Sequence, residues 1–297
     1  MKNLINNTIR IAFLLALSTT FAQQDTNYSL YRYMMNVINP AYAGTNTERV
    51  EFISHVRNSW SGVEGAPETQ SFNISFPANE RLGIGLSVIN DKVFIESEVD
   101  VFIDFSYRLQ LSENTNLNLG LKAGGSSYNL DVLGLNGYNI RSEPSLWNVN
   151  NKLRPNVGIG AYLKKENYFI SISIPKLLNS RALIKDTSDS VIYSKDIKST
   201  YFSGGYNFMV KDIKFKPSVM AIYTNGAPLS VDLTAAARII NKLEIGLSYR
   251  TDNAVSGLFK IDVYDWMNIG YAYESSIRSD IINVSGGSHE FFFRLEL

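Results

Sequence analysis

From Arg49 onward, apolar residues recur at every second position between short polar breaks. In "LEIGLSYR", Leu243, Ile245, Leu247 and Tyr249 share one face, and Glu244, Gly246, Ser248 and Arg250 share the other. "VDVFIDFSYRL" sets Val99, Val101, Ile103, Phe105, Tyr107 and Leu109 against Asp100, Asp104, Ser106 and Arg108. "IKFKPSVMAIY" and "VDLTAAARI" begin the same way, with Lys214, Lys216, Asp232 and Arg238 on the polar side. A period of two belongs to strands with unlike faces, and a helix would need a period of about 3.6.

The pattern predicts strands near 49–57, 68–76, 81–90, 98–109, 115–125, 154–163, 167–174, 200–210, 213–224, 229–239, 242–250, 255–263, 266–274 and 288–296. Fourteen is an even number, as a closed bacterial barrel requires, and the lengths suit tilted strands crossing a bilayer. Every second connection is short: "PANE", "QLSEN", "KKEN", "KD", "INK" and "YD". The alternate set holds the long ones, near 126–153, 175–199 and 275–287. A soluble β-sandwich does not sort its loops in this way. Residues 49–297 therefore read as an all-β fold: a transmembrane antiparallel β-barrel of about 14 strands, with short periplasmic turns and long extracellular loops.

Three local expectations follow. The apolar face meets lipid and the polar face lines the lumen. In "GLKAGGSSYN" the fifth strand leaves the bilayer at its glycine-serine stretch. Tyr107, Tyr128, Tyr162, Tyr168, Tyr206, Tyr223 and Tyr249, near strand ends, suit interfacial girdles.

Residues 1–22 carry Lys2 and Arg10, the apolar run Ile11 to Leu17, and small residues up to Ala22, the layout of a secretory signal peptide. The chain has no cysteine, so stability must come from packing and backbone pairing. Lys plus Arg (28) equals Asp plus Glu (28), which removes the basic excess expected of a nucleic-acid binder.

Little in the sequence points to catalysis. The two histidines, His55 and His289, are far apart and lack companions at zinc-ligand spacing. They read as isolated structural or surface residues. "GIG" at Gly83 to Gly85 and at Gly158 to Gly160 has no following helix, so it reads as close strand packing rather than phosphate binding. No catalytic residue, cofactor or metal is expected. A membrane-embedded Ser–His hydrolase stands as a remote rival, since no histidine adjoins a G-x-S-x-G turn. The polar faces carry charges of both signs, which suits paired charges better than an ion-selective path. Fourteen strands lie between the filled eight-stranded barrel and the aqueous sixteen-stranded one, so the lumen holds water, a plug or a guest segment.

Before the barrel, residues 23–48 contain "YRYMMNVINPAYAG", too apolar for a disordered tail. The segment packs into the lumen, onto a partner, or as a simple cap. Asn39, Pro40 and Tyr42 are its candidate partner-binding residues. In the first external loop, "RNSWSGVEGAPETQ" supplies Trp60, Gly62, Gly65 and Pro67 as further candidates. "NGAPLS" places a second Gly-Ala-Pro turn on the same side.

These stretches, with "KLRPNVGIGAYLKKENYFISISIPKLLNS", "FKPSVMAIYTNGAPLSVDL", "LEIGLSYRTDNAVSGLF", "MNIGYAYESS" and "GGSHEFF", resemble the PorP/SprF family of the type IX secretion system of Bacteroidetes. The resemblance implies a non-enzymatic barrel spanning the lipid of the outer membrane. Its implied partners are other secretion components and a secreted protein or adhesin with a secretion C-terminal domain, including those of gliding motility. A passive porin-type channel for small solutes is the alternative that the barrel alone supports.

Overall fold

The computed structural model describes residues 27–130, 153–178, 198–240, 242–251, 253–278 and 283–297, and the backbone of 181–185 and 191–195. The signal-peptide region and most of the loop expected at 126–153 lie outside these residues.

Alternation is realised as β1 (Glu51–Asn58), β2 (Glu68–Pro77), β3 (Leu82–Val93), β4 (Glu96–Ser112), β5 (Thr115–Leu130), β6 (Arg154–Lys165) and β7 (Tyr168–Ile174). An outlying hairpin follows, β8 (Arg181–Lys185) with β9 (Val191–Lys195). The wall resumes with β10 (Ser199–Tyr206) and β11 (Phe208–Val210), then β12 (Ile213–Thr224), β13 (Ser230–Ile239) and β14 (Leu243–Arg250). It ends with β15 (Ala254–Tyr264), β16 (Met267–Ser276) and β17 (Ser288–Glu296). Strands β10 and β11 both pair β12 and act as one strand interrupted at Asn207. Each wall strand pairs antiparallel with its sequence neighbour, apart from the β7–β10 step, which spans the outlying hairpin. β1 closes the ring on β17, with Glu51 opposite Glu296 and Asn58 opposite His289. The result is a closed barrel of 14 wall strands, without the open edge that lipid forbids.

The two faces separate as the alternation requires. On β4, Val101, Ile103, Phe105 and Tyr107 are exposed while Asp100, Asp104 and Ser106 are buried. On β14, Leu247 is 72% exposed to the outside and its neighbour Ser248 is buried. Ser248 shares a hydrogen bond with Thr234 on the adjacent strand. Leu247→Arg places a cation on the lipid face and is expected to cost about 2–4 kcal/mol near the bilayer midplane. Leu247→Phe should cost far less. Urea unfolding in lipid vesicles reads the difference, and equal midpoints for the two variants would contradict the facing.

Two local expectations are corrected. β5 does not end at Gly125: it runs on to Leu130, with Ser126 opposite Asp100 and Leu130 opposite Glu96. Its glycines are there for space. A Cβ on Gly124 would overlap the carbonyl of Val101 and press on the Phe102 ring, and Ser126 donates to Asp100. With 17 residues in β4 and 16 in β5, this pair exceeds the 9–11 that cross a bilayer, so it stands beyond the membrane on the outer side. Tyr162 is the second correction. It faces the lumen, buried, with its ring 3.9 Å from that of Tyr42, because it shares the parity of Asn156 and Gly160. Tyr107, Tyr206, Tyr223 and Tyr249 do face outward.

Inside the ring lie three single-turn 3₁₀ helices, Tyr31–Tyr33, Met35–Val37 and Pro40–Tyr42. Leu30, Tyr31, Met34, Met35, Val37 and Ile38 are buried, and several pack on wall residues Ile53, Ile89, Tyr201, Met220 and Ile222. Aromatic and methionine side chains suit this role because they fill an irregular space with few polar atoms to satisfy.

Candidate functional site

The lumen segment is held from every side by side chains that alternation points inward. Ser29 N and Leu30 N donate to the Glu290 carboxylate at 2.7 and 3.0 Å. Ser29 Oγ donates to Glu274 at 2.9 Å. Tyr33 OH donates to Glu244 at 2.6 Å, and Arg294 donates to the Tyr33 carbonyl. Asn36 reaches Ser75, Asn39 reaches Ser171, and Ser106 donates to the Ala41 carbonyl. Arg108 donates to the carbonyls of Gly44 and Thr45 where the segment leaves for β1.

Three wall glycines form its cradle. A Cβ on Gly83 would overlap the Ala43 carbonyl, one on Gly120 the amide of Ala41, and one on Gly160 the Asn39 side chain. For Gly83 and Gly160 of the "GIG" stretches, close packing between wall strands is thus not the cause. Gly83 and Gly160 admit the lumen segment, while a Cβ on Gly158 would overlap the Pro175 carbonyl. Glycine here costs strand stability and gains close approach of backbones.

The inward charges form a chain of ion pairs in the outer half of the lumen. Arg57 pairs with Glu290 and, at 2.6 Å, with Glu274. Arg250 pairs with Glu274 at 2.8 Å and with Asp232 at 2.7 Å. All five are buried. His55 is no isolated residue: it is buried, with Nε2 3.4 Å from Glu290 and its ring edge-on to Tyr28. His289 lies on the opposite face of the wall and accepts or donates at Tyr271 OH, 2.8 Å away. Elsewhere Lys122 pairs with Asp104 and Lys216 with Glu244, both at close range. Among the described residues no group of three or more acidic or histidine side chains could hold a metal ion.

The other candidate residues sit on the outer rim. Trp60 is 41% exposed and has φ +51°, a left-handed backbone that a bulky residue seldom adopts. Gly62 and Gly65 also have positive φ, of 89° and 72°. Neighbouring bonds hold this loop in place. Ser61 N donates to Gly287 O at 2.7 Å, Gly286 N to Ser61 O at 2.8 Å, and Ser59 N to Pro67 O at 2.9 Å. Phe94 N donates to Gly65 O at 2.9 Å, and a Cβ on Gly65 would strike the Phe94 ring. Phe94 is itself 57% exposed with φ +55°. Two exposed aromatic residues at positive φ, Trp60 in the β1–β2 loop and Phe94 in the β3–β4 turn that abuts it at Gly65, thus stand at the outer mouth.

Trp60, Gly62, Gly65 and Pro67 therefore form one unit. Asn39, Pro40 and Tyr42 are not part of it: they lie inside the lumen against β4 to β7, with Asn39 capping the third 3₁₀ turn. A partner reaches them only if the segment leaves its seat. The ion-pair chain escaped sequence reasoning, because parity shows that Arg57 and Glu290 face inward but not that the ring closes them into contact.

A family model described as type IX secretion system membrane protein PorP/SprF matches residues 20–295. No curated protein matches the sequence. Solved structures similar to the barrel include the outer-membrane protein Omp33 of Acinetobacter baumannii (7% identity, 84% of this chain and 99% of that one, TM-score 0.47). The CymD monoaromatic hydrocarbon channel is similar at 11% identity, over 93% and 94% of the two chains, with TM-score 0.47. The toluene transporter TbuX of Ralstonia pickettii is similar at 10% identity, over 87% and 91%, also at 0.47.

Proposed function

Because the chain belongs to the PorP/SprF family of type IX secretion system membrane proteins, we propose that this outer-membrane barrel holds a secreted partner, such as a gliding adhesin, at its outer mouth. Family and fold are those of a secretion or transport barrel rather than of an enzyme class. The contact we assign is Trp60 with the Gly62 to Pro67 turn, and the partner region is its secretion C-terminal domain.

The observation that carries this reading is the conformation of Trp60. A bulky residue at positive φ costs of order 1–3 kcal/mol, and here it leaves a large aromatic surface exposed instead of burying it. Rigid aromatic residues make efficient anchors, since they contribute contact area with little loss of side-chain freedom. A passive porin is favoured less, because the chain's own residues 28–43 occupy the lumen.

Trp60→Ala should leave the barrel folded and abundant while lowering partner recovery in pull-downs and display on intact cells. Truncating a central anchor typically costs about 2 kcal/mol or more, a loss of some thirtyfold in affinity. Normal display by a folded Trp60→Ala barrel would remove the loop from the contact. Loss of the barrel itself would instead make Trp60 a structural residue.

A further inference from the structure

The opposite, periplasm-facing mouth holds a cavity of about 550 Å³, on the side of the short turns. Six cations line it: Arg32, Lys216, Arg238, Lys242, Lys260 and Arg294. Three acids stand against them, Asp262, Asp265 and Glu296. Asp262 is shared by Arg238 and Lys260, and Glu296 lies 3.7 Å from Arg294. Lys216 is matched by Glu244 from beyond the lining. Arg32 donates only to a carbonyl, that of Lys216. Among the described ion pairs, neither Arg32 nor Lys242 has a carboxylate.

Two further features point to a ligand. Arg294 Nε, a donor that suits an anion, is buried in the cavity wall without a hydrogen-bond partner, which is costly unless something else supplies one. At the lip, Ile240 is 81% exposed with φ +54°. A β-branched residue in that conformation is strained as well as wet. The exposed ring of Tyr264 and the ring of Tyr33 add apolar wall.

We propose that this cavity binds the carboxylates of an acidic, partly apolar segment of a periplasmic protein. Its volume is that of an ordinary ligand pocket, and its surplus of positive charge selects anions. It is a recess rather than an entrance: Arg32 and Tyr33 of the lumen segment form its inner wall. A solute on its way through would need an exit that the segment occupies. The apolar lip further favours a peptide over a bare anion.

The test uses the full chain in lipid nanodiscs and a fluorescein-labelled peptide of glutamates flanking a phenylalanine. Anisotropy should show saturable binding that weakens with salt, and a lysine peptide of equal length should not bind. Lys242→Gln, on a turn away from the lumen segment, should weaken binding about tenfold, and Arg32→Gln combined with it should weaken it further. Unchanged affinity in Lys242→Gln would overturn the assignment. So would displacement by citrate at the same concentration as unlabelled peptide, which would make this a site for free anions. Trp60 stands at the other mouth, so failure here leaves the outer contact untouched, and the reverse.

Discussion

Gly120→Leu is expected to turn a closed barrel into one that conducts ions. A side chain at this position meets the backbone of Pro40 and Ala41, where no flexible end can give way. The wall itself loses nothing, because Gly120 on β5 keeps its place in the ladders with β4 and β6, opposite Ser106 and Gly160. The lumen segment must therefore shift. A barrel of 14 strands is wider than one that wall side chains can fill, so an emptied lumen admits water. Planar-bilayer recordings should show no steady pore for the parent protein and open pores for Gly120→Leu. Gly160→Leu, which strikes Asn39, should act in the same direction. Silent bilayers from both variants, with normal heat-modifiable gel mobility, would mean that this segment is not what closes the lumen.

The second large effect is expected at Glu290. Glu290→Ala removes the carboxylate that accepts from Arg57, Ser29 N and Leu30 N and lies beside His55. The one carboxylate Arg57 then keeps is Glu274, which it already shares with Arg250. Breaking one side of a buried pair leaves a poorly compensated charge and costs about 3–5 kcal/mol. Two backbone donors of the segment lose their acceptor as well. Urea unfolding in vesicles should show that loss, and protease should cut near Ser29 more readily. Glu290→Gln keeps a carbonyl oxygen for only one of the two amides, which reach different carboxylate oxygens, and removes the charge, so it should fall between parent and alanine. An unfolding midpoint unchanged in Glu290→Ala would show that the ion-pair chain contributes specificity rather than stability.

The barrel was legible from residues 49 onward because its signal is local. A strand with lipid on one side and polar lumen on the other writes a period of two into the chain. Closure writes an even strand count, and the periplasmic side writes short turns. "KKEN" and "INK" mark ends of wall strands wherever those strands go. The same parity put Leu247 in lipid and Ser248 inside.

Misreadings arose where spacing rather than polarity set the residue. Gly124 and Ser127 have the composition of a loop, yet they continue β5, since glycine there makes room for Phe102. Gly83 and Gly160 have the look of strand packing, and their cause is a segment some 40 to 120 residues earlier in the chain. Tyr162 sits near a strand end, like the girdle tyrosines, but its parity turns it onto Tyr42.

Local pattern therefore decided the class of fold, the membrane and the face of each strand residue. Only closure decided which inward residues meet. Glu290 touches Ser29 across 261 positions and Arg57 across 233, a contact that exists because β17 joins β1 and the lumen segment returns beneath them. Such contacts depend on the register and circumference of the whole ring, which no stretch of sequence contains. Strand parity is a property of neighbours along the chain, whereas a plugged lumen is a property of the closed surface around it.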